Sequence, residues 1–479
     1  MRSIATRTAA LAIALSTAAC GGGGGGADDT GTDTGVSPDT SVDTAPDTTP
    51  DTTPDTTGDS PADLPGDSPA CSFADCFVRY VVDDGIEVPA YVSVADVDGD
   101  GREDLVVSSF GGLGFPLPAG QVRLYEFDVS LAVWTWTAIA GQDEGLKFPN
   151  WTTVHDVDGD SDLDVIVPAG FLACTMGGMG AACGALAWFE QDAGGWVRHD
   201  VVAPGSDLFY HHVAIADLDG DGIDDILTVG EEQGAAFPAT PDRAVVQLFR
   251  GAISTVRFET APLDLGQGLG SLPVLEDLDG DSDLDVASAE YFVEGGSFAW
   301  MEQVAPPTAA DPGAWTRRVI ADDVGPSVML AFVPDLHGGG VTRPVGTNHV
   351  NETRDGIVSA VFEFEIPADP RLAWPVWPIS TGIVSVAGTA LAPMAAPGIF
   401  GWGDVDGDGD VDLAVSGDGD KRVFVLEQVE GGTFVTHVLA EGLGQAGGMQ
   451  ITDLDRDGSA EIVVTGYEDN VVYVYEYSP

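Results

Sequence analysis

This 479-residue sequence predicts an all-β fold: a seven-bladed β-propeller of four-stranded antiparallel blades, its last blade closed by the N-terminal strand, preceded by a disordered stalk. Three observations carry that expectation. A nine-residue acidic motif, Asp-x-Asp-x-Asp-x-x-x-Asp, returns at intervals of roughly 60 residues. Short Val/Ile/Leu-rich runs alternate with Gly, Pro and Asp clusters, and no stretch sustains a helical period. The last repeat is one strand short, and a segment with the pattern of that strand stands ahead of the first repeat.

The composition narrows the partners. With 78 Asp and Glu against 18 Lys and Arg, the net charge is −60. Such a chain repels phosphate backbones, which excludes nucleic acid and favours divalent cations. An apolar fraction of 44% suffices for a large core.

Residues 1–19 read as a signal peptide: Arg2 and Arg7 form a short basic region, and the apolar run 9–15 is too short to span a bilayer. The segment Leu15-Ser16-Thr17-Ala18-Ala19-Cys20 resembles the lipobox of bacterial lipoproteins, whose cysteine is acylated and becomes the mature N-terminus. It departs from that pattern at Thr17, where Leu is usual. Ordinary secretory cleavage with a free Cys20 is the alternative. Both readings imply export; the first adds a membrane attachment through N-terminal lipid at the cell envelope, outer membrane or cell surface. In an oxidising compartment Cys71, Cys76, Cys174 and Cys183 allow three pairings. The local pairs Cys71–Cys76 and Cys174–Cys183 are favoured because each closes a short loop.

Residues 20–70 hold Gly, Asp, Thr, Pro and Ser, no Lys or Arg, and almost nothing apolar to bury. Such a segment stays disordered and extended, and reads as a stalk. The propeller then occupies 71–479. In its second repeat the four strands are expected at 151–155, 165–168, 185–191 and 195–202, with the acidic loop between the first two. The seventh repeat ends after strands near 461–467 and 471–477, whereas 77–84 looks like the fourth strands 196–202, 315–322 and 434–440. Pairing of 77–84 into the last blade would close the ring and remove its free edges.

The acidic loops point to calcium, a hard cation that takes six to eight oxygens in flexible geometry. Alternating carboxylates let side chains turn inward, the carbonyl of position seven adds an oxygen, and Gly at position four permits the left-handed backbone of a tight coil. Intact loops place no His or Cys at ligand positions, which disfavours zinc. Position twelve is apolar, as at Val107, so these are β-hairpin loops and not the helical calcium motif with its Glu at twelve.

This pattern, placed between strands at this period, resembles the FG-GAP/VCBS repeats of the integrin α-subunit N-terminal propeller and its bacterial relatives, over about residues 77–479. The resemblance implies that each loop joins the first and second strands of a blade and binds calcium, up to six ions in all. The implied ligands are Asp96, Asp98, Asp100 and Asp104; Asp156, Asp158, Asp160 and Asp164; Asp217, Asp219, Asp221 and Asp225; Asp277, Asp279, Asp281 and Asp285; Asp404, Asp406, Asp408 and Asp412; and Asp453, Asp455, Asp457 and Glu461. A worn copy at Asp335 carries His337, Gly339 and Arg343 at positions three, five and nine, and is expected to hold no calcium.

The face opposite these hairpins collects the long connections 110–120, 141–150, 170–184, 203–210 and 231–242. They bring Phe115, Trp151, Phe209, Tyr210, His211 and His212 towards blades one to three, a set suited to a sugar ring or a peptide. The expected function is a surface binding or adhesion module for carbohydrate or protein. Two alternatives stand beside it. Some relatives with these repeats are polysaccharide lyases or sugar dehydratases, and His155, His211 and His212 on or beside the innermost strands offer material for a site at the channel mouth. A passive envelope scaffold is the other. No nucleophile–base pairing and no phosphate loop is visible, so no catalytic residue is assigned.

Overall fold

Strand two of most blades is largely apolar on both faces in the sequence, and that fixes the architecture: such a strand must be covered from both sides. Leu105–Ser109-type segments achieve this by stacking blade on blade. The strands Asp104–Ser109, Asp164–Ala169, Asp285–Ala289, Asp412–Ser416 and Glu461–Gly466 are buried at every residue. The fourth strands lie at the rim and are largely exposed, as in Val133–Ala140.

The computed structural model describes residues 71–479 except 113–116, 171–181, 233–241, 254–256, 271, 292, 294–295, 309–310, 351–352, 355–356, 385–396, 418–419, 430–431, 444 and 467. The expected signal peptide, Cys20 and the stalk lie outside the described residues, as do Phe115 and Cys174.

Seven four-stranded antiparallel sheets form the blades of a propeller. Blade one is Pro89–Ala95, Asp104–Ser109, Gln121–Asp128 and Val133–Ala140. Blade two is Thr153–His155, Asp164–Ala169, Gly184–Asp192 and Gly195–Ser206. Blade three is Val213–Ala216, Asp225–Glu232, Arg243–Phe249 and Leu263–Gln267. Blade four is Val274–Glu276, Asp285–Ala289, Phe298–Ala305 and Ala314–Ala321. Blade five is Ser327–Val333, Arg343–Asn348, Ala360–Phe364 and Val376–Thr381. Blade six is Phe400–Gly403, Asp412–Ser416, Val423–Val429 and Thr433–Ala440. Blade seven combines Ala446–Thr452, Glu461–Gly466 and Val471–Tyr477 with the N-terminal strand Phe77–Asp83.

The core follows the ring. Buried apolar clusters join blade one to two (Val106, Val165), two to three (Ile166, Ile226), three to four (Val229, Val286) and four to five (Trp300, Leu330). Another joins blades five, six and seven through Val345, Leu413 and Ile462. The last joins seven back to one through Val463 and Leu105. Each interface therefore needs both of its blades, and no blade covers its own apolar faces.

Closure is as the sequence predicts. Phe77 pairs with Tyr477 and the antiparallel register runs on through Val81 opposite Tyr473. Blade seven meets blade one at close range: a Cβ on Gly448 would lie 2.7 Å from the Tyr91 Cα, so only glycine fits there. Thr465 donates its hydroxyl to the Ala90 carbonyl at 2.8 Å, and the Val88 N–H donates to Asn470 Oδ1 at 2.8 Å. A Cys71–Cys76 disulfide braces the start of the closing strand, and Phe73 beside it stacks on His437 at 4.7 Å between ring centroids. Cys183 is also disulfide-bonded; the Cys174 expected to pair with it is among the residues left undescribed.

Candidate metal centres

The six intact acidic loops sit between strands one and two of blades one, two, three, four, six and seven, and share one local construction. The position-three carboxylate accepts the N–H of position five, as Asp98 does from Asp100 at 2.8 Å and Asp158 from Asp160 at 3.1 Å. The position-five carboxylate accepts the N–H of position seven, as Asp160 does from Asp162 at 2.9 Å and Asp408 from Asp410 at 2.9 Å. These short turns coil the loop so that alternate side chains face its centre. The coil requires left-handed backbone at positions four and six. Glycine supplies it in most loops, while Ser161 (φ 83), Ser282 (φ 78) and Arg456 (φ 66) adopt it without that freedom.

Position nine plays a different part. Asp104, Asp164, Asp225, Asp285, Asp412 and Glu461 begin strand two and are all at most 5% exposed. One oxygen of each accepts the backbone N–H of position two, at 2.9 Å from Val97 and Val157, 3.0 Å from Leu218 and Leu278, 3.2 Å from Val405 and 2.7 Å from Leu454. In blades two, three, four and six the other oxygen takes an N–H from the third-strand side: Gln191, Gly251, Gln303 and Gln428. The ninth residue thus locks the loop to two strands as well as facing its centre. Burial pushes Asp104, Asp285, Asp412 and Glu461 up to about 7, and Asp164 and Asp225 to about 6. A buried carboxyl with that tendency takes either a proton or a cation.

The residues fit a hard divalent ion. Carboxylate oxygens of positions one, three and nine converge within 4.8 Å of one another in blades one, two, three, four and six. The donors are oxygens throughout, as calcium prefers. In blade one Asp96 Oδ1 is buried and has no hydrogen-bond partner, and Asp96 is one of the three converging carboxylates of that loop. A cavity of about 280 Å³ opens at this loop, lined by Asp98, Asp100, Asp104, Glu126, Asp128 and Arg102. Its walls suit a cation and repel an anionic substrate.

The fifth loop is built otherwise. His337, at position three, spans Gln428 Oε1 (2.6 Å) and Glu363 Oε2 (2.9 Å), and Arg343 at position nine lies 3.8 Å from Glu363. His337 and Arg343 stand at positions three and nine, where the other loops place carboxylates, and position five is Gly339.

One recurrent feature escapes a reading along the chain. The registers Leu105 with Tyr125, Val165 with Phe189, Ile226 with Phe249, Val286 with Met301, Leu413 with Leu426 and Ile462 with Tyr475 place one further residue across from each position nine. Those residues are Glu126, Glu190, Arg250, Glu302, Glu427 and Glu476: a row of third-strand glutamates broken by one arginine. Burial and the nearby Asp98 raise the Glu126 carboxyl. Glu190 and Glu427 pair with His199 and His437 at 2.7 and 2.6 Å.

The expected ligand-binding set gathers on the opposite face and is mostly turned inward. Phe209 and Glu231 exchange two backbone hydrogen bonds at 2.9 and 3.0 Å, and Phe209 and Tyr210 are both 2% exposed. The Tyr210 hydroxyl donates to Gln247 Oε1 at 3.1 Å, and His211 Nδ1 lies 2.9 Å from the fully buried Glu231 carboxylate. Trp151 stacks on Tyr91 (5.8 Å between ring centroids), lies tilted against His212 (5.3 Å), and with Leu272 joins the apolar cluster of Met329, Phe400 and Met449. These side chains, from blades two, five, six and seven and the connection into blade four, share one buried apolar cluster. Burial pushes His212 down to about 4, so it is neutral at pH 7. His155 stands at the other end of its strand, 2.9 Å from Asp224 beside the acidic loops. The three histidines therefore do not converge. Tyr91 and His212 are the partly exposed members of this neighbourhood.

Fold and loops together define a seven-bladed β-propeller braced by acidic hairpins. Residues 404–464, from the acidic loop of blade six into the second strand of blade seven, match the FG-GAP-like repeat family. No curated protein matches the chain. Similar solved structures include BBS1N in complex with ARL6DN (10% identity, 84% of this chain and 97% of that chain, TM-score 0.45) and the Dos1 propeller (12%, 85% and 97%, 0.42). A glucose dehydrogenase is also similar (12%, 83% and 98%, 0.38).

Proposed function

We propose that this protein is a calcium-stabilised propeller that acts as a surface binding or adhesion module for a carbohydrate or protein ligand, held at the membrane by lipid on Cys20. The observation that carries the calcium part is the buried ninth carboxylate, repeated in six loops and facing two further carboxylates within 4.8 Å in the five loops named above. Calcium would be held by the aspartates of positions one, three, five and nine and would supply charge neutralisation that locks each hairpin.

Binding is the reading that the opposite face supports. Trp151, Leu272 and Met329 share one buried apolar cluster there, so the side chains left for a ligand are those at its edge. Among the described residues at the base of the connections on that face, buried Asn150 donates to the Phe148 and Gly170 carbonyls at 2.9 and 2.8 Å, and Lys147 Nζ donates to the Leu117 carbonyl at 2.8 Å. The partly exposed Tyr91 and His212 offer a ring and a polar group suited to an extended glycan or a polypeptide. The test is a glycan and protein array probed with the calcium-loaded chain. Retained signal that is lost on Tyr91→Ala or His212→Ala supports the reading, and a blank array contradicts it.

A further inference from the structure

The row of third-strand residues facing the loops divides them into two groups. In blade three the row carries Arg250 in place of glutamate. Arg250 Nε donates to Asp219 Oδ2 at 2.5 Å, and its Nη2 lies 3.2 Å from Asp221 Oδ2. Asp219 and Asp221 are positions three and five of that loop. The Arg250 and Asp219 side chains are 11% and 3% exposed, so the pair is largely shielded from water. In blade four the row keeps Glu302, but Arg371 reaches in from the connection before the last strand of blade five. Arg371 Nη2 lies 2.5 Å from Asp279, position three of the blade-four loop, and 2.5 Å from Glu302. Blades one, two, six and seven show the reverse arrangement. Glu126, Glu190, Glu427 and Glu476 stand across from position nine there. The guanidinium of Arg102 pairs with Asp100, position five of the blade-one loop, at 2.7 Å, but with both side chains more than a third exposed, and Arg257 lies near the blade-two loop without an ion pair to Asp158.

We propose that Arg250, and in the same way Arg371, are resident counter-cations that supply part of the positive charge the other loops take from calcium, so that the loops of blades three and four bind calcium more weakly than those of blades one, two, six and seven. This rests on the reading of the loops as calcium sites. The physical reason is competition for one carboxylate. A guanidinium fixed on Asp219 satisfies an oxygen that a metal would need and places a like charge beside the incoming ion. The facing glutamates do the opposite, adding negative charge at the edge of the loop. Arg250, the less exposed of the two, exerts the larger effect.

A calcium titration of the EDTA-stripped full chain, read by equilibrium dialysis or calorimetry, tests this. The acidic segment 20–70 gives the same weak background in every variant and cancels. The wild type is expected to take up four ions at least about tenfold more tightly than the remaining two. Arg250→Leu should move the blade-three loop into the tight group, giving five. Glu126→Arg, which copies the blade-three arrangement into blade one, should remove one tight ion, giving three. Should Arg250→Leu not fold, the Glu126→Arg result decides alone. Six equivalent ions in the wild type, or a tight-group count unmoved by Glu126→Arg, would overturn the inference while leaving the calcium reading intact. Binding of no calcium at all would overturn the calcium reading itself, and this inference with it.

Discussion

Asp83 Oδ2 accepts a hydrogen bond from Arg123 Nη1 at 2.6 Å, tying the outermost strand of blade seven to the third strand of blade one. Tyr125 adds its hydroxyl to the same oxygen at 2.7 Å, and Arg123 lies over the Trp136 ring at 3.9 Å. Both partners of the ion pair are largely buried, with side chains 13% and 9% exposed. Asp83→Ala leaves the Arg123 charge without its counter-ion in a poorly solvated place. The expected loss is about 3 kcal/mol, read from the urea midpoint at unchanged slope. Asp83→Asn, which keeps an acceptor, should cost less.

Gly448 tests closure by packing instead of charge. A side chain there meets the Tyr91 backbone at 2.7 Å, and backbone cannot step aside as a flexible side chain can. Gly448→Val is expected to lower stability by about 3 kcal/mol or more. Gly194→Val, at a turn with no atom within 4 Å of the added Cβ, should stay within about 0.5 kcal/mol of wild type.

The buried ninth carboxyls predict an inverted pH dependence for the metal-free protein. Their folded values, about 6 to 7, lie above the ordinary 3.8 of aspartate. The folded state therefore binds more protons than the unfolded chain in that window, and the stability these groups contribute is lost as pH rises through 6 to 7. His212, held near 4, works the other way, losing stability as pH falls, but it is a single group. In EDTA the melting temperature should be higher at pH 5 than at pH 7.5. Calcium requires the carboxylate, so its stabilising effect should grow over the same interval. A metal-free protein that melts higher at pH 7.5 would contradict this.

Trp151 is expected to behave as a structural plug whatever else it contacts. Trp151→Ala removes the ring that joins Tyr91 and His212 to the cluster of Leu272 and Met329, leaving a cavity in that cluster. A loss of about 3–5 kcal/mol follows from such a truncation, measured by thermal or chemical unfolding.

Blade count and closure were legible because both leave marks along the chain: acidic loops at a near-constant interval, and a last repeat without its rim strand while Phe77–Asp83 stood spare. The convergence of the acidic loops was legible because positions one, three and nine fall within nine residues. The third-strand row of Glu126, Glu190, Arg250, Glu302, Glu427 and Glu476 was not. Its members face position nine across a strand pair, and connections of differing length between strands two and three vary their sequence distance from it. Only the register aligns them. The aromatic set shows the opposite limit. Phe209, Tyr210 and Trp151 belong to the set expected towards blades one to three, but a side chain's direction there depends on bridges such as Phe209 with Glu231 and on partners distant in sequence such as Leu272. Such contacts leave no local signature.

The most direct measurement of the central claim is the melting temperature of the chain at pH 7.5 in excess calcium and in EDTA. Calcium that binds only the folded loops stabilises by mass action, and even sites of about 10⁻⁴ M affinity sum over several loops. The account predicts a clear fall in EDTA that calcium restores and magnesium restores less. An identical melting temperature in both buffers would show that the six acidic hairpins are not metal braces.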